Sequence, residues 1–122
     1  MVAAVIERRG RWLLGQRPVG KAHAGLWEFP GGKVAATESL AVALQRELLE
    51  ELALTGVVVG DLLDTQLSQT VRLHFLSVTT QSAPIALEHQ SLGWFNPKEA
   101  QLLDLAPMDR AFLRSSAARL SG

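Results

Sequence analysis

Glu47, Glu50 and Glu51 fall close together in a stretch free of Gly and Pro. On an α-helix, at about 100° per residue, the three carboxylates occupy an arc of roughly 100°. Glu47 stands one turn from both of the others, and like charges at that spacing cost a helix roughly 0.2–0.5 kcal/mol per pair. Arg46 is the one basic residue between positions 39 and 52, so the segment offsets little of this repulsion itself. Such an acidic arc is ordinarily a solvated helix face. Here the Leu44, Leu48 and Leu52 stripe borders it, which puts the carboxylates at the edge of the buried side. A divalent cation would relieve the repulsion. Clustered carboxylate oxygens are hard ligands suited to Mg²⁺, with Mn²⁺ as an alternative.

The residues just ahead supply a second chemistry. Gly31-Gly32 lets backbone approach a ligand closely and permits positive φ. A loop that runs into a helix N-terminus also offers free N–H groups to phosphate. Alone, a Gly pair after a strand is usually a turn; beside a carboxylate helix it suggests a phosphate site. The combined run, Gly32-x5-Glu38-x7-Arg46-Glu47-Leu48-Leu49-Glu50-Glu51-Leu52, resembles the Nudix box, G-x5-E-x7-R-E-U-x-E-E-x-G-U, where U is bulky and aliphatic. The one departure is Ala53 in the place of the last Gly. Gly15-Gln16-Arg17-Pro18 and the run from Gly25 to Lys33, GLWEFPGGK, are similar to the MutT-like subgroup.

The resemblance implies roles at matching positions. Glu50 and Glu51 would hold the metal, with Glu47 as a further ligand or base and the carbonyl of Gly31 as another ligand. Arg46 would orient the carboxylates. Lys33 and Gly32 would meet phosphate. Glu88, six residues before Trp94, matches a late-loop carboxylate that is either a ligand or an aid to the attacking water; His89 beside it reads as a surface residue. Arg17 and Phe29 match nucleotide contacts, although Phe29 reads equally well as core. Trp27, Trp94 and Phe95 are candidate pocket walls, with core the commoner role for aromatic residues on strands. Asp109 stands where MutT carries a base-binding Asn, and an ionised Asp only accepts hydrogen bonds, which bears on base preference. The implied reaction is attack of water on the β-phosphorus of a nucleoside triphosphate, giving a monophosphate and pyrophosphate. Oxidised purine nucleotides such as 8-oxo-dGTP are the first expectation. Cytidine triphosphates, nucleotide sugars and dinucleoside polyphosphates are the alternative, and a non-catalytic nucleotide-binding module is a third.

Elements must hold these residues in place. Leu40, Leu44, Leu48 and Leu52 recur at spacing four and predict a helix over 39–52, capped by Thr37 or Ser39. Because Ala is the best helix former, the helix is expected to run on past Ala53 and to end near Gly56. Residues 2–6 and 12–17 predict a hairpin around Arg9-Gly10-Arg11, and 18–25 a loop. A short strand over 26–29 is expected to stop at Pro30-Gly31-Gly32. Strands follow at 57–63, 71–79 and 92–95, then a short helix or turn at 97–103 and a last helix within 104–120, beginning at Pro107. The mixture predicts an α+β fold, an α/β/α sandwich with a mixed sheet.

Composition narrows the remaining classes. A length of 122 residues suits one domain, 1–122. Hydrophobic residues at 48% and charged ones at 20% argue against disorder. Twelve Lys and Arg balance twelve Asp and Glu, so bulk charge favours neither nucleic acid nor an anionic membrane, and phosphate affinity must be local. The absence of Cys excludes disulfides, thiolate metal sites and a thiol nucleophile, and leads us to expect a cytoplasmic protein. No apolar run approaches the roughly 20 residues of a membrane span.

Overall fold

The structure, a computed structural model, describes residues 1–115. Strand β1 (Val2–Arg8) sends Val2, Ala4 and Ile6 into one core cluster and Ala3 and Val5 into another. A strand buried on both faces belongs at the centre of a sheet. On one edge β1 pairs in parallel with β6 (Arg72–Thr79), which pairs antiparallel with the edge strand β5 (Val58–Leu67). The other edge of β1 is divided. Its end pairs antiparallel with β2 (Arg11–Gln16), and its start with β4 (Gly31–Gly32). β2 pairs in turn with β3 (Trp27–Glu28) and β7 (Ser91–Phe95). The sheet is therefore mixed, and it splits where β2 and β4 diverge from β1.

Helices cover both faces. α1 (Leu40–Leu52) buries Ala43, Leu44, Leu48 and Leu52 against Val2, Ala4 and Ile6. On the other face α2 (Pro97–Gln101) and α3 (Pro107–Arg114) contribute Ala100 and Phe112 to a cluster with Trp12, Phe29 and Phe75. Phe75 and Phe112 stack at 4.3 Å, and Phe29 meets both edge-on. The expected α/β/α sandwich with a mixed sheet is what the chain forms. Ser39 is the cap of α1, its Oγ accepting from the Val42 N–H at 3.1 Å.

Three local expectations are corrected. Gly31-Gly32 is an extended pair hydrogen-bonded to β1, and neither glycine has positive φ. β5 runs to Leu67 rather than ending at residue 63. α1 does not continue towards Gly56: Ala53 takes the left-handed conformation at φ 55° and ψ 28°. The turn there drives Leu54 into the core at 2% exposure. The helix's last carbonyls are claimed by other partners. Leu54 N–H turns back to Leu48 O at 3.2 Å, Leu87 N–H reaches Glu51 O at 3.0 Å and Ile85 N–H reaches Leu52 O at 2.9 Å. Burial of Leu54 and these bonds outweigh the helix propensity of one Ala. The part of the expected last helix beyond residue 115 lies outside the described residues.

Candidate active site

The site lies beside the start of β1, where β4 pairs with it, and is built on α1. Arg46 bridges from α1 to the preceding loop. Its guanidinium donates to both oxygens of Glu38 at 2.7 and 2.8 Å, to Glu47 at 3.0 Å, to Glu50 at 3.4 Å and to the Lys33 carbonyl at 3.0 Å. Glu38 also accepts from the Ala35 N–H at 2.8 Å. Arg46, with that backbone bond, holds the Glu38 carboxyl down to about 2. The expected orienting role of Arg46 thus has a physical form: one cation ties two carboxylates of the helix to the loop. Gly32 explains itself here, since a Cβ at that position would lie 2.4 Å from the Glu47 carboxyl carbon. Only Gly lets this carboxylate rest against the backbone.

The three helix glutamates face different surroundings. Glu50 is 55% exposed on the outer side, Glu47 is mostly covered, and Glu51 is buried. Burial pushes the Glu51 carboxyl up to about 8, helped by the charges of Glu47, Glu28 and Glu88 and opposed by a backbone hydrogen bond from Gly31. Its Oε2 is buried without a hydrogen-bond partner. Among the described residues no three acidic or His side chains close on a point as they stand. The chemistry of the set nevertheless fits a hard divalent cation, because Glu51 has an orphaned buried oxygen and feels the charges of three further carboxylates. Glu47, Glu50, Glu51 and Glu88, with the Gly31 carbonyl, are the residues available to hold it.

Two depressions meet at this cluster and share Arg17, Glu28 and Glu51. One also holds Lys21, Glu88 and His89. The other holds Gly32, Lys33, Glu47, Phe29 and Asp109. Glu28 was not singled out from the sequence, yet it lines both. It accepts from Arg17 Nη1 at 3.3 and 3.4 Å and pairs with His89 Nε2 at 3.0 Å. Its only signal in the sequence was its place in the GLWEFPGGK run, one residue before Phe29. His89, expected on the surface, is buried, because its ring lies flat against Gly15 of β2.

Asp109 and Phe29, the residues expected at the nucleoside end, are joined by a hydrogen bond. Asp109, in the first turn of α3, is 4% exposed and accepts from the Phe29 N–H at 2.9 Å. Burial, with Glu28 nearby, pushes its carboxyl up to about 7. Phe29 is settled as core: its ring packs against Trp12, Phe75 and Phe112, and its main chain reaches the pocket through Asp109. The suggested aromatic walls line neither depression; Trp27, Trp94 and Phe95 are half-buried and pack against the core clusters. Trp27 and Phe95 meet edge-on at 5.1 Å, and Trp94 carries the Arg8 guanidinium over its ring.

Known proteins are similar to this chain in sequence and fold. The NUDIX domain family model matches residues 1–115. The chain is 43% identical to the CTP pyrophosphohydrolase of Escherichia coli K12, over 98% of this chain and 94% of that protein. It is 39% identical to the 8-oxo-dGTP diphosphatase of Proteus vulgaris, over 50% of this chain and 54% of that one. Among solved structures, the E. coli ORF135 protein superposes with a TM-score of 0.75 at 42% identity, over 92% of this chain and 83% of that chain. A MutT structure, from work on the Aliivibrio salmonicida and Vibrio cholerae proteins, gives 0.76 at 26% identity, over 93% and 91%. With the box residues gathered on α1 and the segment that leads into it, and the family match spanning the whole described chain, this protein belongs to the Nudix family of hydrolases.

Proposed function

We propose that this chain, as one domain over residues 1–122, hydrolyses a nucleoside triphosphate to the monophosphate and pyrophosphate with Mg²⁺, and that oxidised purine nucleotides such as 8-oxo-dGTP are its substrates. The observation that supports this most is the crowding of Glu47, Glu28 and Glu88 upon Glu51, whose buried carboxyl is pushed up to about 8. When bound, the cation neutralises phosphate oxygens and makes water a better nucleophile at neutral pH. Lys33 and Arg17 offer cationic contacts to the phosphate chain from the same depression. Glu88 is exposed and stands as the proton acceptor for the attacking water. The Gly32 approach to Glu47 keeps that carboxylate beside the phosphate-binding backbone.

A second reading, hydrolysis of a cytidine triphosphate, is favoured by Asp109. An ionised carboxylate accepts from the exocyclic amine of cytosine, and the relative at 43% identity is named for CTP. A protonated Asp109, by contrast, presents one donor and one acceptor, as the Asn of MutT does. The deciding experiment is a panel of nucleoside triphosphates, nucleotide sugars and dinucleoside polyphosphates with Mg²⁺, scored for pyrophosphate and phosphate. Pyrophosphate released from 8-oxo-dGTP at the highest kcat/KM is the expected result. Preference for CTP selects the second reading. Turnover of nucleotide sugars or dinucleoside polyphosphates alone overturns both, and binding without turnover returns the chain to a binding module.

A further inference from the structure

The loop that carries Glu88 is fastened on both sides. Before it, the Leu87 N–H donates to the Glu51 carbonyl at the end of α1, at 3.0 Å. After it, the Gln90 N–H donates to the Gln16 carbonyl of β2, also at 3.0 Å. Between these tethers His89 turns inward, its side chain 3% exposed, and its Nε2 lies 3.0 Å from Glu28 Oε2. A carboxylate only accepts, so Nε2 carries the proton and donates it into this bond. Nδ1 is buried with no partner, so Glu28 is the ring's one hydrogen-bonded contact among the described residues. The ring rests on Gly15, where a Cβ would lie 2.5 Å from His89 Cδ2. Glu28 is held from its other side by Arg17.

We infer that His89 is a positioning residue, which fixes the Glu28 carboxylate and the adjoining Glu88 backbone in one register beside Glu51. The inference rests on the hydrolase reading for what the register serves, but the register itself is a property of the unliganded chain. Groups that hold metal-binding carboxylates in place typically change metal affinity or activity about 10–100-fold when removed. His89 differs from an ordinary core residue in that its bulk and its donor are separable. His89→Met keeps much of the bulk and removes the donor. His89→Gln restores an N–H near the place of Nε2.

The test measures Mn²⁺ affinity by electron paramagnetic resonance, with the metal alone as probe. Beside it stand kcat and KM on the best substrate of the panel and the melting temperature of each variant. We expect His89→Met to weaken Mn²⁺ binding and to lower kcat by about 10–100-fold, with KM little changed, and His89→Gln to recover most of both. Parental Mn²⁺ affinity and kcat in His89→Met overturn the inference. So does equal impairment of the two variants, which would assign His89 to packing alone. Should His89→Met fail to fold, Gly15→Ala decides, because its Cβ displaces the ring from Glu28: lost Mn²⁺ affinity supports the inference and parental affinity overturns it. A parent protein that turns over nothing in the panel defeats the hydrolase reading, while the Mn²⁺ comparison still judges His89.

Discussion

Glu51 carries the strongest tension between stability and function. Its carboxyl is buried, crowded by three other glutamates and left with one oxygen unpaired. Glu51→Gln keeps the shape and removes the charge. We expect kcat to fall by at least about 100-fold, as loss of a metal-holding carboxylate should cause. The melting temperature of the metal-free variant at pH 8 should rise above the parent's. A variant with parental kcat in saturating Mg²⁺ would remove Glu51 from the site. Glu50→Gln should lose turnover similarly without gaining stability, since Glu50 is 55% exposed and its charge is solvated. Asp109 tests the base end. Its carboxyl, pushed up to about 7, changes charge within the working pH range. The ratio of kcat/KM for 8-oxo-dGTP over CTP should therefore fall as pH rises from 6 to 8 in the parent. It should be flat in Asp109→Asn, which cannot ionise. A hydrogen bond of this kind is worth about 0.5–1.5 kcal/mol, so the change is up to roughly tenfold. A parental ratio that does not move with pH would place Asp109 away from the base.

α1 shows how an element is stopped by its surroundings. Ala53 sits in the left-handed conformation, which costs a residue with a Cβ roughly 1–2 kcal/mol. Ala53→Gly should therefore stabilise the protein by about 1 kcal/mol and raise the melting temperature by a few degrees. The opposite sign would follow from the extended helix that Ala's propensity suggests, so thermal unfolding separates the two. At the other end, Ser39→Ala removes the hydrogen bond to Val42 and should cost about 1 kcal/mol. Activity should survive both changes, because the glutamates lie between the two altered positions and keep their place on the helix.

Across the whole molecule, the metal-free protein should become less stable as pH rises. Glu51 and Asp109 both have folded-state values raised above their ordinary carboxyl values, to about 8 and about 7. Through these two groups the folded state binds more protons than the unfolded chain between roughly pH 4 and pH 8; His74 and the Met1 amine, both lowered by burial, act in the opposite sense but by less. The linkage slope is then negative: the stability is present at low pH and is lost as pH rises through the folded-state values. Each group contributes at most about 1.4 kcal/mol per pH unit. A divalent cation competes with the proton on Glu51, so Mg²⁺ should raise the melting temperature more at pH 8 than at pH 5. Equal Mg²⁺ shifts at the two pH values, measured by scanning fluorimetry, would argue against Glu51 as a ligand. Much of this design was legible in the chain itself. Leu44, Leu48 and Leu52 face the core and Glu47 and Glu51 border them because helical geometry maps spacing three and four onto one face. The Gly32 and Arg46 positions of the box are likewise local, acting within one loop-helix unit. Tertiary structure decided what links distant segments. Glu28, Glu51, His89 and Asp109 belong to four different parts of the chain, and no periodicity relates them. Their meeting depends on how β3, α1, α3 and the loop before β7 pack. The end of α1 was decided in the same way, by the burial of Leu54 and by the N–H groups of residues 85 and 87, which claim the carbonyls of Leu52 and Glu51. Local propensity differs between residues by less than about 1 kcal/mol, and a buried side chain with satisfied backbone groups outweighs it.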